Sequence, residues 1–346
     1  MLLQFKNKIV LVVGGVGFIG SQLCKKLLET DVKEIIVIDN LLSSELSQLP
    51  KHSKLRFILG SASKEVVLSQ IPNTIAFVFH LATYHGNQSS IHDPLADHEN
   101  NTLTSLKLFN HIRNFKQLKK IVYASAGCSI AEKTFGKTTA TIEEEKVSLY
   151  LDSPYQISKI FGEFYGNYFF RQYKLPFVKA RFQNVYGPGE ILGAGQWRGT
   201  PHTIWRNVIP SFMFKALNKE ALTLEKEGLT TRDFIYVDDI VNGLILCAST
   251  GKPGESYNLS SGKETEIRKL AEIINKLTEN TTLSQCSPNR EWDRSGKRYG
   301  CTIKAEKELN FKAQMEIEEG LKQTMHWTRL NMNLIKQCIN KHAYHI

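Results

Sequence analysis

The sequence predicts an α/β protein: a doubly wound parallel sheet covered by helices on both faces, followed by a smaller α/β region. Three observations predict it. Short, continuous apolar runs rich in Val and Ile alternate with stretches of helical period. A cluster of glycines follows the first of those runs and opens a helix. After about residue 188 the alternation loosens into GPGEILGAGQWRGTPHT, a Gly-rich segment without periodicity that reads as a long functional loop.

Taken in order, KIVLVV (8–13) reads as the first strand. Leu23, Cys24, Leu27 and Leu28 then share one helical face. EIIVID (34–39), LRFILG (55–60), IAFVFHLA (75–82) and KIVYAS (120–125) read as further strands, with helices near 64–70 and 95–114. A helix over 155–173 and a sixth strand, PFVKARFQNVYG (176–187), follow. Beyond the Gly-rich loop come a helix near 205–218, a strand pair near 221–236 and a helical region near 264–280. DFIYVDDIVNGLILCA (233–248) is expected to return the chain to the main body.

Composition narrows the function classes. The chain has 346 residues, 42% of them hydrophobic, enough for one large domain or two coupled ones. Its apolar runs are far shorter than the ~18 residues that mark a membrane span. MLLQFKNKIVLVVGG runs straight into a strand with no signal-peptide pattern, so the expected location is cytoplasmic, with no membrane partner. The cysteines, at 24, 128, 247, 286, 301 and 338, form no CxxC or zinc-like spacing. Reduced thiols and no metal are expected, with Cys24 and Cys247 packed in the core. Net charge is 44 − 34 = +10. Arg294, Lys297, Arg298, Lys304 and Lys307 are scattered rather than interleaved with aromatics, which fits solvated surface or a phosphate-bearing substrate better than nucleic acid.

Residues 14–20 read GGVGFIG, with Gly14, Gly17 and Gly20 at one spacing and Gly15-x-Gly17-x-x-Gly20 at another. Between a strand and a helix, such glycines allow a tight turn and let a pyrophosphate approach backbone N–H groups. Asp39 ends the second strand nineteen residues later. An acid there binds ribose hydroxyls and repels the extra phosphate of NADP, and Asn40 and Leu41 add no cation. NAD is therefore the expected cofactor. Tyr155 and Lys159, in PYQISK (154–159), are i and i+4 and share a helical face. A tyrosine of pKa ~10 becomes a base at neutral pH only beside positive charge, which Lys159 and an oxidised nicotinamide supply. The pair can then remove a sugar hydroxyl proton while hydride leaves.

GGVGFIG, Asp39-Asn40-Leu41, HLAT (80–83), SPYQISK (153–159), RFQNVYGPGE (181–190) and RDFIYVDD (232–239) together resemble an extended short-chain dehydrogenase/reductase. More narrowly, the chain is similar to the NAD-dependent nucleotide-sugar epimerase/dehydratase family, in order over about residues 8–327. The resemblance implies a Rossmann core, tightly held NAD, a nucleotide-diphosphate sugar between the domains, and a homodimer. The expected division is an NAD-binding Rossmann domain over 1–187 with a return segment near 233–260, a mainly substrate-binding domain over 188–330, and a C-terminal tail over 331–346. By position, Gly14, Gly17, Phe18, Ile19 and Gly20 would cradle the pyrophosphate, and Asp39 and Asn40 would hold the ribose. Leu81, Ala82 and Thr83 would line the cofactor beside Tyr155 and Lys159. Asn184, Arg232 and Arg298 match positions that bind the substrate's diphosphate or nucleotide. Ser61 stands where the family often has Asp to bind adenine.

The stretch YASAGCS (123–129) departs from the family. Ala126 stands where a Ser or Thr hydroxyl usually assists the tyrosine. Ser125 is a candidate replacement, although strand alternation turns its side chain to the other face, and Ser129 lies past the strand end. Dehydratases place an Asp-Glu pair where this chain has Gly127-Cys128. GDP-mannose 3,5-epimerases are similar here: they carry Cys at the position of Cys128 and use it as an acid/base. Their Trp-basic-Gly stretch resembles Trp197-Arg198-Gly199, in which Arg198, always protonated, would stabilise an enolate. The resemblance implies a nucleotide-sugar epimerase working through a transient 4-keto sugar, in bacterial lipopolysaccharide O-antigen synthesis. Alternatives are a 4-epimerase, an atypical dehydratase, and a catalytically inactive NAD- or RNA-binding member.

Overall fold

The structure, a computed structural model, describes residues 2–84, 86–127, 139–288 and 296–345. The first strand, β1 (Ile9–Val13), is buried along its whole length, as a β-branched run covered on both faces must be. Then come α1 (Phe18–Leu28), β2 (Glu34–Asp39), β3 (Leu55–Leu59), α2 (Glu65–Leu68) and β4 (Ile75–His80). Helices α3 (Asn87–His92) and α4 (Pro94–Asp97) lead through a π-helical turn, His98–Leu103, into α5 (Thr104–Ile112). Next are β5 (Lys120–Ala126), α6 (Pro154–Tyr173) and β6 (Phe177–Phe182). The remainder comprises β7 (Asn184–Tyr186), α7 (Val208–Leu217), β8 (Thr223–Glu225), β9 (Thr231–Arg232), β10 (Phe234–Tyr236), α8 (Val237–Ser249) and β11 (Ser256–Leu259). It continues with β12 (Thr265–Glu266), α9 (Ile267–Thr278), β13 (Gln285–Ser287), α10 (Ile303–Leu309), α11 (Ile317–Leu330) and α12 (Met332–Asn340).

Seven strands form one sheet in the order β11-β6-β5-β4-β1-β2-β3, and every neighbouring pair is parallel. The chain first moves outward from β1 through β2 to β3, then crosses back to β4 and proceeds the other way. The switch point therefore lies between β1 and β4, where ligands of such sheets sit beyond the strand ends. Residues of α1, α8 and α10 pack on one face, among them Leu23, Leu27, Leu244 and Leu309. Leu108, Phe109 and Ile112 of α5 and Phe169 of α6 pack on the other. A third core joins α7, α9 and α11 through Ile209, Phe212, Met213, Leu270, Ile274 and Leu321. Cys24 and Cys247 are fully buried. Among the described residues, no helix is long and apolar enough to cross a membrane.

Three sequence expectations change. The run 176–187 is two strands, because the chain leaves the main sheet after Phe182 and β7 pairs instead with β10. The segments near 221–236 do not pair with one another: β8 pairs with β13, β9 with β12 and β10 with β7. The expected tail over 331–346 contains α12, whose Ile335, Cys338 and Ile339 pack on Ile191, Leu192, Ala194 and Ile204. This helix anchors the Gly-rich loop: His342 Nε2 bonds the Gly193 carbonyl at 2.9 Å, and His345 stacks on Trp197 at 4.6 Å.

Candidate active site

A cavity of about 480 Å³ opens along the C-terminal ends of the strands, within the usual range for ligand sites. The sheet order sets out its wall: Ser61 follows β3, Asp39 ends β2, Gly14 follows β1, Leu81 follows β4, Ala126 ends β5 and Asn184 starts β7 just after β6.

The glycine turn fits a dinucleotide. Gly14 has φ +84, and a Cβ on it would meet Ala82 N at 2.5 Å. A Cβ on Gly20 would meet the Gly14 carbonyl oxygen at 2.2 Å, so the first turn of α1 lies directly on the loop. Asp39 Oδ2 accepts from Val16 N at 3.0 Å, and Oδ1 accepts from Leu41 N and the Ser44 hydroxyl at 2.9 and 3.1 Å. Burial raises its carboxyl above the usual range, and those donors hold it down. Asn40 is oriented by Asn100 at 3.1 Å. Phe18, Ile19, Leu81, Ala82 and Thr83 complete this part of the wall, and the Thr83 hydroxyl faces Tyr155.

Tyr155 and Lys159 stand in the first turns of α6, which Ser153 caps and Pro154 starts. Lys159 is buried and donates to the Ala124 carbonyl at 3.0 Å, with its ammonium 5.7 Å from the Tyr155 ring centroid. Burial lowers Lys159 to about 8, with Asp97 acting the other way. Burial raises Tyr155 to about 12, Asp97 adds to the rise, and Thr83 opposes it. The ammonium is thus poised near neutral pH, whereas the phenol needs a further positive charge to ionise.

The model of the NAD-dependent epimerase/dehydratase family matches residues 10–260. The chain belongs to that family. The Bordetella bronchiseptica enzyme WbmF, in a crystal structure with NAD+ and UDP, is 53% identical, covers 99% of this chain and 98% of its own, and superposes with a TM-score of 0.90. The UDP-glucuronate 4-epimerase of Thermodesulfobacterium geofontis is 30% identical over 339 residues, 94% of this chain and 98% of its own. Human dTDP-D-glucose 4,6-dehydratase is 26% identical over 343 residues, 94% and 91% of the two chains. The cofactor of this family member is NAD, and WbmF has been crystallised with both NAD+ and NADH.

Of the residues singled out in the sequence, Asn184, Arg232 and Arg298 line the same cavity as the family's cofactor and tyrosine–lysine positions. Arg232 Nη1 is held by the carbonyls of Thr231 and Gly296 at 2.7 and 2.9 Å. Ser125 lines the cavity too, but its Oγ donates to Glu163 at 2.5 Å, so the hydroxyl is committed to a buried carboxylate one turn along α6 from Lys159 and not to Tyr155. Arg198 is 3% exposed and outside the cavity wall, with its guanidinium bonded to the carbonyls of Leu42 and Gln196 at 3.0 and 3.3 Å. It ties the Gly-rich loop to the segment after β2. Cys128 lies outside the described residues.

Sequence reasoning missed Glu190, Arg206 and Asn207, which also line the cavity. Arg206 reaches the carbonyls of Ser43 and Ile191 at 3.3 and 3.2 Å. Asn207 Nδ2 donates to Glu190 Oε1, while Glu190 Oε2 is buried with no partner. Burial raises Glu190 to about 7, with Asn207 and Arg206 opposing. The available signal was Arg206-Asn207 immediately before the apolar helix VIPSF, a helix-start pattern.

Proposed function

We propose that the chain is a nucleotide-sugar epimerase, an isomerase that works through a transient 4-keto sugar. The observation that carries this reading is a single cavity wall running from Asp39 and the glycine turn, past Tyr155 and Lys159, to Asn184, Arg232 and Arg298. Such a wall would hold a dinucleotide and a diphosphate on either side of the proton-transfer pair. UDP in the WbmF complex supports a uridine nucleotide as the carrier.

Tyr155 takes the proton of the sugar's C4 hydroxyl, and the Lys159 ammonium stabilises the phenolate. Bound NAD supplies the hydride acceptor and donor, so there is no net redox. Arg232, Arg298 and Asn184 hold the diphosphate and fix the sugar against Tyr155. A C4 ketone acidifies the hydrogens at C3 and C5, and Cys128 is the acid/base for inversion there. Its role rests on the sequence resemblance. A dehydratase needs a carboxylic acid to expel water just past β5, where this chain has Gly127-Cys128. Supply of a sugar for bacterial surface polysaccharide, specifically lipopolysaccharide O-antigen, in the cytoplasm follows from the same resemblance. So does a homodimer, for which the exposed Phe161, Phe164 and Tyr168 of α6 provide an apolar face. The domain division at residue 187 with a return near 233–260 is part of this reading.

The test is a panel of UDP-, GDP- and dTDP-sugars incubated in D₂O and followed by NMR. Deuterium at C3 or C5 supports the 4-keto epimerase with Cys128 active. Inversion at C4 without deuterium makes it a 4-epimerase, and loss of the 6-hydroxyl makes it a dehydratase. Absence of turnover across the panel, with NAD bound, sinks the reading.

A further inference from the structure

A third titratable group stands behind Tyr155 and Lys159. Asp97, the last residue of α4, is 1% exposed. Its Oδ1 accepts from Asn101 Nδ2 at 2.7 Å, and the Ser158 hydroxyl lies beside it. The Asn101 amide cannot be reversed, because its Oδ1 accepts from Tyr84 N at 2.6 Å. The same Nδ2 reaches Ser158 Oγ at 3.2 Å, and Ser158 Oγ donates to the Tyr155 carbonyl at 3.0 Å. A continuous polar chain therefore runs from Asp97 to the backbone of Tyr155. Asn101 sits in the π-helical turn between α4 and α5, an irregularity that recurs at functional sites.

The neighbouring groups leave Asp97 as the anion of this corner. Ser105 gives its proton to the Asn101 carbonyl at 2.7 Å, so His80 Nε2 must donate to Ser105 Oγ at 2.9 Å. His80 is neutral, and burial drives its pKa down to about 3. Lys159 and Tyr155 face Asp97 from α6, Tyr123 from β5, Tyr84 from the segment after β4, and His98 from the next residue. Asp93 caps α4 and acts on Tyr84.

We propose that Asp97 is a positioning residue for the catalytic pair: through Asn101 and Ser158 it fixes the first turn of α6, and its carboxylate sets an anionic field behind Tyr155 and Lys159. That field favours the protonated form of both. It keeps the Lys159 ammonium charged in spite of burial, and it holds the Tyr155 phenol neutral until positive charge enters the cavity. Asp97 is itself raised to about 6 by burial, so the field is present at neutral pH and fades below about 6.

The inference rests on the proposed roles of Tyr155 and Lys159, and its test needs no sugar. The NAD-bound full-length enzyme is titrated by near-ultraviolet tyrosinate absorbance. The Tyr155 signal is isolated by subtracting the same titration of Tyr155→Phe. Asp97→Asn, with its own Tyr155→Phe control, should bring the Tyr155 midpoint down by about one pH unit, the lower end for a nearby charge. Asp97→Thr, which keeps an oxygen for Asn101 without the charge, is the second variant and should shift it likewise. A midpoint that stays put or rises, with only the melting temperature reduced, makes Asp97 a packing residue and overturns the proposal. Failure of wild-type turnover would instead remove the epimerase reading and leave this titration intact.

Discussion

Replacing Glu163 by Ala should cost more stability than any exposed ion pair in the molecule. Glu163 lies on α6 one turn after Lys159, and its carboxylate takes two bonds from Arg181 of β6: Nε to Oε1 at 2.9 Å and Nη2 to Oε2 at 2.8 Å. Ser125 adds a third bond, and Arg181 Nη1 donates to the Glu143 carbonyl at 2.7 Å. The two side chains are 10% and 6% exposed. Burial works against the Arg181 charge, and Glu163 more than restores it, raising its pKa. The alanine variant would leave that guanidinium buried with no carboxylate, at a cost of about 3–5 kcal/mol. At about 1.4 °C per kcal/mol for a chain of this size, the NAD-bound enzyme should melt about 4–7 °C lower. Thermal unfolding monitored by fluorescence at fixed NAD concentration measures it, since bound ligand also raises the transition. Glu163→Met with Arg181→Met removes both charges and should recover a good part of the loss. A loss under about 1 kcal/mol for Glu163→Ala, the range of surface pairs, would refute the reasoning, as would a double variant worse than the single one.

Gly20→Ala should yield folded protein that purifies without NAD, because the new Cβ would lie 2.2 Å from the Gly14 carbonyl oxygen; absorbance of the released cofactor reads this. Glu190, raised from 4.5 to about 7, keeps more protons folded than unfolded, so its contribution is full below pH 4.5 and is lost as pH rises to 7. Glu190→Gln should flatten the melting temperature across that window, removing a decline of about 1–3 kcal/mol. Turnover should fall as pH rises through about 8, where Lys159 loses its charge, and a pH–rate profile on the substrate the panel identifies checks it. Phe164→Asp, at a 53% exposed position on α6, should shift the enzyme from dimer to monomer on size-exclusion chromatography with light scattering.

The seven-strand core was largely legible because its signals are local. Runs such as IVLVV and EIIVID carry their burial in composition, and the glycine turn and Asp39 lie within one strand–helix–strand unit. Reading failed where partners are remote in sequence. Whether β7 continues β6 depends on β10, some fifty residues on, and no periodicity in RFQNVYG encodes that pairing. The amphipathic pattern of α12 is visible, but its docking face is the Gly-rich loop more than a hundred residues earlier. Arg198 and Arg206 occupy one loop and look alike as charges; only the fold determines which faces the cavity.

The end of β5, where Ala126 departs from the family pattern, has a physical logic. Strand alternation places Ser125 on the face of Glu163 and Arg181, and Ala124 offers its carbonyl to Lys159. Gly127 has no room for a side chain, since a Cβ would meet the Phe182 carbonyl oxygen at 2.3 Å. Two consecutive positions, Ala126 and Gly127, thus bring no functional group to the cavity although both line it. The hydroxyl that family members usually place there is absent, and the nearest serine is needed to satisfy a buried carboxylate. Proton transfer at this edge then falls to Tyr155 or to residues past 127. Placing the burden on Tyr155 makes the charges around it decisive, and Asp97 is the carboxylate that acts on it.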